Sequence, residues 1–168
     1  MTHSVVPIAE EHVAGLRACL DAVARERRFL AQVEAQPLER MAAFVQDSVK
    51  KNAAHYVALD EGAVVGWCDI FADLASAMAH CGGLGMGVLE SHRGRGIGNR
   101  LLAATLAHAR QQGLKRIELE VRTDNLAAIR LYERVGFVHE GRKRQRMCFD
   151  GVYFDTLAMA LLFDAAPS

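Results

Sequence analysis

Two spacings of apolar residues divide the first half of the chain into predicted helices and strands. Helical spacing begins at Val13 and persists to Val33, and a second helix is expected after Pro37, a residue favoured in the first helical turn. Apolar runs of strand length follow over 55–59 and 63–71. Because only the turn residues Asp-Glu-Gly separate these two runs, they are expected to form an antiparallel hairpin.

The second half of the chain alternates strand patterns with helical patterns. An apolar run interrupted by glycines over 84–89 predicts a buried strand, and helical spacing over 97–109 predicts the helix that follows it. Apolar and acidic residues alternate over 115–121, as in a strand with one buried face. A further helix, reaching about Arg134, precedes two strands joined at Asp150-Gly151, a pair typical of a tight hairpin.

A short first strand at 5–8 completes the predicted order β-α-α-β-β-β-α-β-α-β-β. With 168 residues, 51% of them apolar, the chain can bury about 70% of its unfolded surface, so residues 1–168 are expected to form one domain. Twenty basic and twenty acidic side chains cancel, which argues against binding to nucleic acid or to an anionic membrane. No apolar run approaches the ~18 residues of a membrane span.

The four cysteines, Cys19, Cys68, Cys81 and Cys148, are scattered along the chain without a Cys-x-x-Cys pair. This distribution favours reduced thiols in a cytoplasmic protein over disulfides or a metal site.

Glycines dominate the turn between the 84–89 strand and the next helix, which reads Arg93-Gly94-Arg95-Gly96-Ile97-Gly98. The first backbone N–H groups of a helix have no partner within it, and the helix dipole adds positive potential at the same end. Glycine lets this backbone approach a phosphate without a Cβ in the way, and Arg93 and Arg95 can add charge-assisted hydrogen bonds. The turn therefore predicts a phosphate or diphosphate ligand.

Two common phosphate-binding motifs do not fit this turn. A P-loop requires Gly-Lys-Ser/Thr, but Gly98 is followed by Asn99 and Arg100. A dinucleotide fingerprint beginning at Gly94 requires glycine at the position of Asn99, and one beginning at Gly96 requires it at the position of Leu101. Both classes of nucleotide site are therefore excluded.

The spacing that does fit is Arg93-x-x-Gly96-x-Gly98 after a strand that ends at Val88. It is followed, in matching order and distance, by Asn125–Glu133 (NLAAIRLYE) and Val135-Gly136-Phe137. Over roughly its second half the chain thus resembles the GCN5-related N-acetyltransferase (GNAT) family.

The resemblance implies a fold and an activity. The fold is an α/β acyl-CoA N-acyltransferase fold, with a mixed, mostly antiparallel central sheet that has helices on both faces and is splayed at its central strand. The activity is transfer of an acetyl group from acetyl-CoA, without a metal, to the primary amine of a small molecule such as an amino acid or a related antimetabolite. The amine would attack directly in a ternary complex, and the sheet edge at the C-terminal strands makes a homodimer plausible.

The resemblance also assigns binding residues. Main-chain groups around Met86, Gly87 and Val88 would pair with the pantetheine arm, to which Asn125 would donate a hydrogen bond. The diphosphate would lie on the glycine turn, formed by Arg93, Gly94, Arg95, Gly96, Ile97, Gly98 and Asn99. Tyr132, two helical turns after Asn125, would lie near the sulfur and on the same helix face.

The reaction requires an acid and a base. The expelled thiolate has a free pKa of about 8.5 and a phenol one of about 10, so Tyr132 is expected to act as the general acid. The amine must lose a proton, and Glu120, on the polar side of a strand beside the cleft, is the expected base. Asp69 on the hairpin and His80 in the following connection are alternatives, and the N–H of Val88 is the expected oxyanion donor.

Three alternatives remain open at this point. The acceptor could instead be a protein N-terminus or a lysine, which a peptide-wide groove would favour. The chain could be a non-catalytic acyl-CoA-binding module, against which Asn125 and Tyr132 argue. Finally, the charged run 25–28 is expected to be a solvated helix face, but Glu26 or a neighbouring arginine could lie at the acceptor site.

Overall fold

The computed structural model describes residues 3–163. The strands of this part are β1 (Ser4–Pro7), β2 (Ala54–Asp60), β3 (Ala63–Ala72), β4 (Cys81–Val88), β5 (Arg116–Arg122), β6 (Val138–Phe149) and β7 (Val152–Leu162). Its α-helices are α1 (Val13–Arg25), α2 (Leu38–Lys50), α3 (Ile97–Gln111) and α4 (Leu126–Val135). The predicted order of helices and strands is therefore confirmed.

All seven strands of the described part belong to one sheet, in the order β1-β2-β3-β4-β5-β7-β6. Neighbouring strands pair antiparallel, except for the central pair of β4 and β5, which is parallel. This is the mixed, mostly antiparallel sheet that the resemblance implied.

The central pair of strands is splayed, as predicted. β4 and β5 pair only between Cys81–Gly83 and Arg116–Glu118. Beyond Gly83, β4 remains paired with β3 up to Val88, while β5 continues along β7 to Arg122. The main chain of β4 over 84–88 therefore has an edge that faces a gap.

Helices cover both faces of the sheet because each helix has one apolar stripe. α3 and α4 pack on one face, where Leu101, Leu102 and Ile129 join Cys68 and Ile70 of β3 in the larger core. α1 and α2 pack on the other face. The smaller core on that face contains Leu16, Val23, Met41, Val45, Val57 and Trp67.

The first helix is shorter than its apolar pattern predicts. α1 ends at Arg25, and Arg27 takes a left-handed conformation (φ 53°) that a helix cannot accommodate. Residues 26–37 instead form a connection in which Glu26 and Phe29 contact Arg93, far away in sequence. The prediction of a helix to Val33 was wrong because these long-range contacts leave no trace in local spacing.

Candidate active site

A cavity of about 780 Å³ opens where β4 and β5 diverge. Most residues predicted for the site line it, and they come from β4, the glycine turn, β5 and α4. They are Met86, Gly87, Val88, Arg93, Gly94, Gly96, Ile97, Gly98, Asn99, Glu120, Asn125 and Tyr132. Arg95, the remaining predicted residue, is exposed and does not line the cavity.

The glycine turn presents unobstructed backbone to the cavity. Gly94 (φ 72°) and Gly96 (φ 78°) are both left-handed, and Gly96 is the N-cap of α3. Nothing lies within 4 Å of the place where a Cβ would be on either residue. Because Arg100 N–H makes the first bond back to the Gly96 carbonyl, the N–H groups just before it are available to an anion. The geometry fits a diphosphate.

The side chain of Arg93 is engaged elsewhere. Its guanidinium donates to both Glu26 oxygens, at 2.9 and 2.6 Å, and its Nε donates to the Val88 carbonyl at 2.9 Å. It also lies 4.7 Å from the centre of the Phe29 ring. Arg93 thus ties the start of the glycine turn to the end of α1, and the donors that the turn leaves open are its main-chain N–H groups.

Tyr132 lies on α4 with only 7% of its surface exposed, and it packs against Phe137. Burial, with a smaller effect of the nearby Cys68 thiol, raises the pKa of the phenol above its ordinary value. No other residue within 3–163 hydrogen-bonds to its hydroxyl. The hydroxyl therefore keeps its proton, and that proton is available to a ligand in the cavity.

Asn125 begins the same helix. Its Oδ1 accepts a hydrogen bond from the Ala128 N–H at 3.3 Å, which caps α4. The cap holds the side chain at the cavity wall and leaves the amide nitrogen free to donate.

Glu120 is surrounded by hydrogen-bond donors. Lys143 Nζ donates to it at 2.8 Å, Arg146 Nε at 2.9 Å and Thr156 Oγ1 at 2.7 Å. Burial alone would raise the pKa of this carboxyl, but the three hydrogen bonds outweigh it and lower the pKa. The ionised form of Glu120 is therefore stabilised, and the carboxylate stays unprotonated at neutral pH.

The two alternative bases are placed very differently. Asp69 lies on β3 and does not itself line the cavity, but it pairs with Gly85, which does. The Asp69 side chain is partly exposed, yet enough protein surrounds the carboxyl for desolvation to raise its pKa to about 7. His80 is exposed in the connection before β4 and does not line the cavity.

One wall of the cavity comes from a region without a recognisable motif. Val23 of α1 and Phe29, Leu30 and Ala31 of the following connection form it. The only sequence signal for these residues is their apolar character, which predicts a continuing helix. Glu26 does lie at this side, but as the partner of Arg93.

Within residues 3–163, every helix falls short of the length and hydrophobicity that a transmembrane segment requires. No three histidine, cysteine, aspartate or glutamate side chains there are grouped closely enough to hold a metal ion.

Two relatives are similar to parts of this chain. A mycothiol acetyltransferase from Thermobispora bispora is 39% identical over 88 residues, which cover 51% of this chain and 30% of that protein. The N-alpha-acetyltransferase RimI of Mycobacterium tuberculosis is 50% identical over 60 residues, 36% of either chain. The matched segments span about a third of the length of these relatives.

Among solved structures, yncA from Salmonella typhimurium, determined with its cofactor acetyl-CoA, is similar with a TM-score of 0.91. The similarity covers 100% of this chain and 99% of yncA at 19% sequence identity, so it concerns the fold. It agrees with the splayed mixed sheet described above.

The model of one protein family, the acetyltransferase (GNAT) family, matches residues 17–137. This range contains β4, the glycine turn, β5 and α4, and thus all elements that carry the predicted site residues. Since the match covers well over half of the chain, the chain belongs to the acetyltransferase (GNAT) family.

Proposed function

We propose that this chain transfers an acetyl group from acetyl-CoA to the primary amine of a small molecule, by direct attack in a ternary complex. The observation that carries the proposal is that one cavity joins an anion-binding turn to a buried, protonated tyrosine along an unpaired strand edge. That arrangement fits the two ends of acetyl-CoA, a diphosphate and a thioester.

The donor binds along β4. Main-chain N–H groups of residues 94–99 hold the diphosphate, and the free edge of β4 near Met86 and Val88 pairs with the amides of the pantetheine arm. The Asn125 amide donates a further hydrogen bond to that arm. The structure of yncA with acetyl-CoA supports this assignment, because that protein shares the fold.

The chemical step replaces a C–S bond with a C–N bond. The amine attacks the thioester carbon, and the N–H of Val88 stabilises the oxygen that becomes negative. Tyr132 then donates its proton to the departing thiolate. The raised pKa of the phenol keeps it protonated at neutral pH, so the proton is present when the thiolate forms.

The walls of the cavity favour a small acceptor. Phe29 and Leu30 border it on the side of α1, close to where Arg93 and Glu26 tie that side to the glycine turn. A second candidate acceptor, the N-terminus of a protein, is favoured by the similarity to RimI, whose name describes N-alpha-acetylation.

We also propose that residues 1–168 form a single cytoplasmic domain. Unpaired cysteines, typical of a reducing compartment, support the location. If the protein forms a homodimer, the edge strand β6 is the expected contact.

A panel of amines, amino acids and short peptides, assayed for thiol release from acetyl-CoA, tests the proposal. We expect turnover with a small amine or amino acid and intersecting double-reciprocal plots, as a ternary complex requires. Turnover with peptides alone would instead support the protein acceptor. Parallel plots, typical of a covalent acetyl-enzyme, would contradict direct attack.

The donor site can be tested by Gly96→Asp, which adds negative charge and bulk to the turn. Acetyl-CoA affinity measured by calorimetry should fall by about tenfold or more, that is about 1.4 kcal/mol. Gly62→Asp is the matched control, since Gly62 is also left-handed (φ 83°) with open space around it but lies in the β2–β3 turn. Equal affinities of both variants and the wild type would contradict the diphosphate site.

A further inference from the structure

The glycines of β4 create a groove on the α1–α2 face of the sheet. Gly83, Gly85 and Gly87 alternate along the strand, so all three turn towards the face that Trp67 occupies. Trp67 covers Gly87, where a Cβ would lie 2.4 Å from its ring, and Asp69 Oδ1 would lie 3.2 Å from a Cβ on Gly85. At Gly83 the space is open. The groove thus ends at a tryptophan, contains a carboxylate and is accessible from the Gly83 end.

Strand register places two carboxylates at the same level of this groove. Asp69 pairs with Gly85 from the β3 side. On the β5 side the last pair is Gly83 with Glu118, so a continued parallel register would place Glu120 opposite Gly85. The strands separate just there. Asp69 and Glu120 therefore flank the beginning of the gap, on the same face of the sheet.

These two carboxylates differ in their hydrogen bonds. Glu120 accepts from Lys143, Arg146 and Thr156. Within residues 3–163, the side-chain carboxylate of Asp69 accepts no hydrogen bond and forms no ion pair. A proton on Glu120 would displace favourable contacts, whereas a proton on Asp69 displaces none.

None of the groups around Asp69 shifts the pKa of its carboxyl, so burial is the only cause of the shift. His55 pairs with it from β2, and burial lowers the pKa of that imidazole to about 4, so the ring is neutral near pH 7. The neighbouring Cys68 thiol has a pKa raised by burial and is also neutral. β4 contributes no titratable group between Gly83 and Val88, and Glu120 is the acidic group across the gap. With desolvation as the only cause, the pKa of Asp69 rises to about 7.

We propose that Asp69 is the general base that takes the proton of the acceptor amine. This inference rests on the proposed acetyl transfer, and it places Asp69 beside the cavity, next to the lining residue Gly85. The donor reaches the gap from the glycine turn, while the amine enters along the glycine groove from the opposite end. Glu120 then serves to position the amine by accepting a hydrogen bond from it.

The step balances as follows for a neutral amine. The amine nitrogen forms the C–N bond and loses one proton to the Asp69 carboxylate. The C–S bond breaks, and the sulfur takes its electron pair and the proton of Tyr132. Asp69 afterwards returns its proton through water to the tyrosinate, which leaves an amide and coenzyme A thiol as products.

The pH dependence of kcat in the wild type and in Asp69→Asn tests this role. A base must be unprotonated, so wild-type kcat should fall as the pH drops below about 7 and level off above it. In Asp69→Asn, kcat should be lower by about 10²-fold or more and this acid limb should disappear. Acetyl-CoA affinity and the melting temperature, measured in parallel, should change little because Asp69 has no partner among the described residues to lose.

Two further variants sharpen the test. Asp47→Asn makes the same substitution on the exposed face of α2, where Asp47 pairs with Lys51, and should leave the profile unchanged. Glu120→Gln can lower kcat but should keep the limb at the wild-type pH. The acid limb should also lie at the same pH for two amines of different pKa, because it reports the pKa of a group on the enzyme.

Asp69→Asn with kcat within about twofold of wild type and an intact acid limb would overturn the role of Asp69 while acetyl transfer stands. Loss of the limb in Glu120→Gln, with the limb retained in Asp69→Asn, would assign the base to Glu120 instead. A wild-type enzyme that binds acetyl-CoA but releases no thiol with any amine would overturn the proposed function, and the role of Asp69 with it.

Discussion

Desolvation raises the pKa values of the Tyr132 hydroxyl and the Asp69 carboxyl, and neither side-chain group has a hydrogen bond to another residue within 3–163. In both, desolvation disfavours the anion and raises the pKa, so the tyrosine remains an acid and the aspartate becomes a base suited to neutral pH. In the proposed step the cavity would also desolvate the thiolate, which raises the proton affinity of the sulfur and offsets part of the raised pKa of Tyr132.

Tyr132→Phe tests the acid role because it removes one hydroxyl and preserves the packing against Phe137. We expect kcat for acetyl transfer to fall by about 10²-fold or more, with an unchanged dissociation constant for acetyl-CoA. Tyr153→Phe, at an exposed position of β7, is the matched control and should leave both values unchanged. A Tyr132→Phe enzyme with wild-type kcat would show that another group protonates the sulfur.

Among the strands, β4 is set apart by the lack of side chains on one face, and its proposed function depends on this. Gly85 and Gly87 admit Asp69 and Trp67 over the strand, and the gap beyond Gly83 frees its other edge. A Cβ on Gly85 would lie 3.2 Å from Asp69 Oδ1, and one on Gly87 would lie 2.4 Å from the Trp67 ring. In the proposed mechanism the donor would pair with the free edge of this strand, and the amine would lie beside its glycine face.

Gly87→Ala measures how tightly the strand is packed. Its new Cβ would lie 2.4 Å from the buried Trp67 ring, so the variant should lose about 1–3 kcal/mol of unfolding free energy in urea denaturation. Gly83→Ala adds the same methyl group on the same face, where nothing lies within 4 Å, and should keep the wild-type stability or slightly exceed it. Equal stability of the two variants would contradict the close packing of Trp67 on β4.

Across the whole molecule, features that depend on local sequence could be predicted, and features that depend on long-range contacts could not. The glycine turn and α4 depend on local chemistry, such as left-handed Gly94 and Gly96 and the Asn125 cap, so their positions were predictable. The approach of Phe29 to the cavity was not, because it depends on contacts with Arg93 across 60 residues or more of sequence. The difference between Glu120 and Asp69 depends on donors from β6 and β7, which no pattern within β3 or β5 indicates.

A crystal structure of the protein with acetyl-CoA tests the central claim most directly. We expect the diphosphate oxygens within about 3 Å of main-chain N–H groups of residues 94–99. We expect the thioester in the gap between β4 and β5, with its carbon facing the groove that holds Asp69. A diphosphate bound away from the glycine turn, or an acetyl group outside that gap, would contradict the claim.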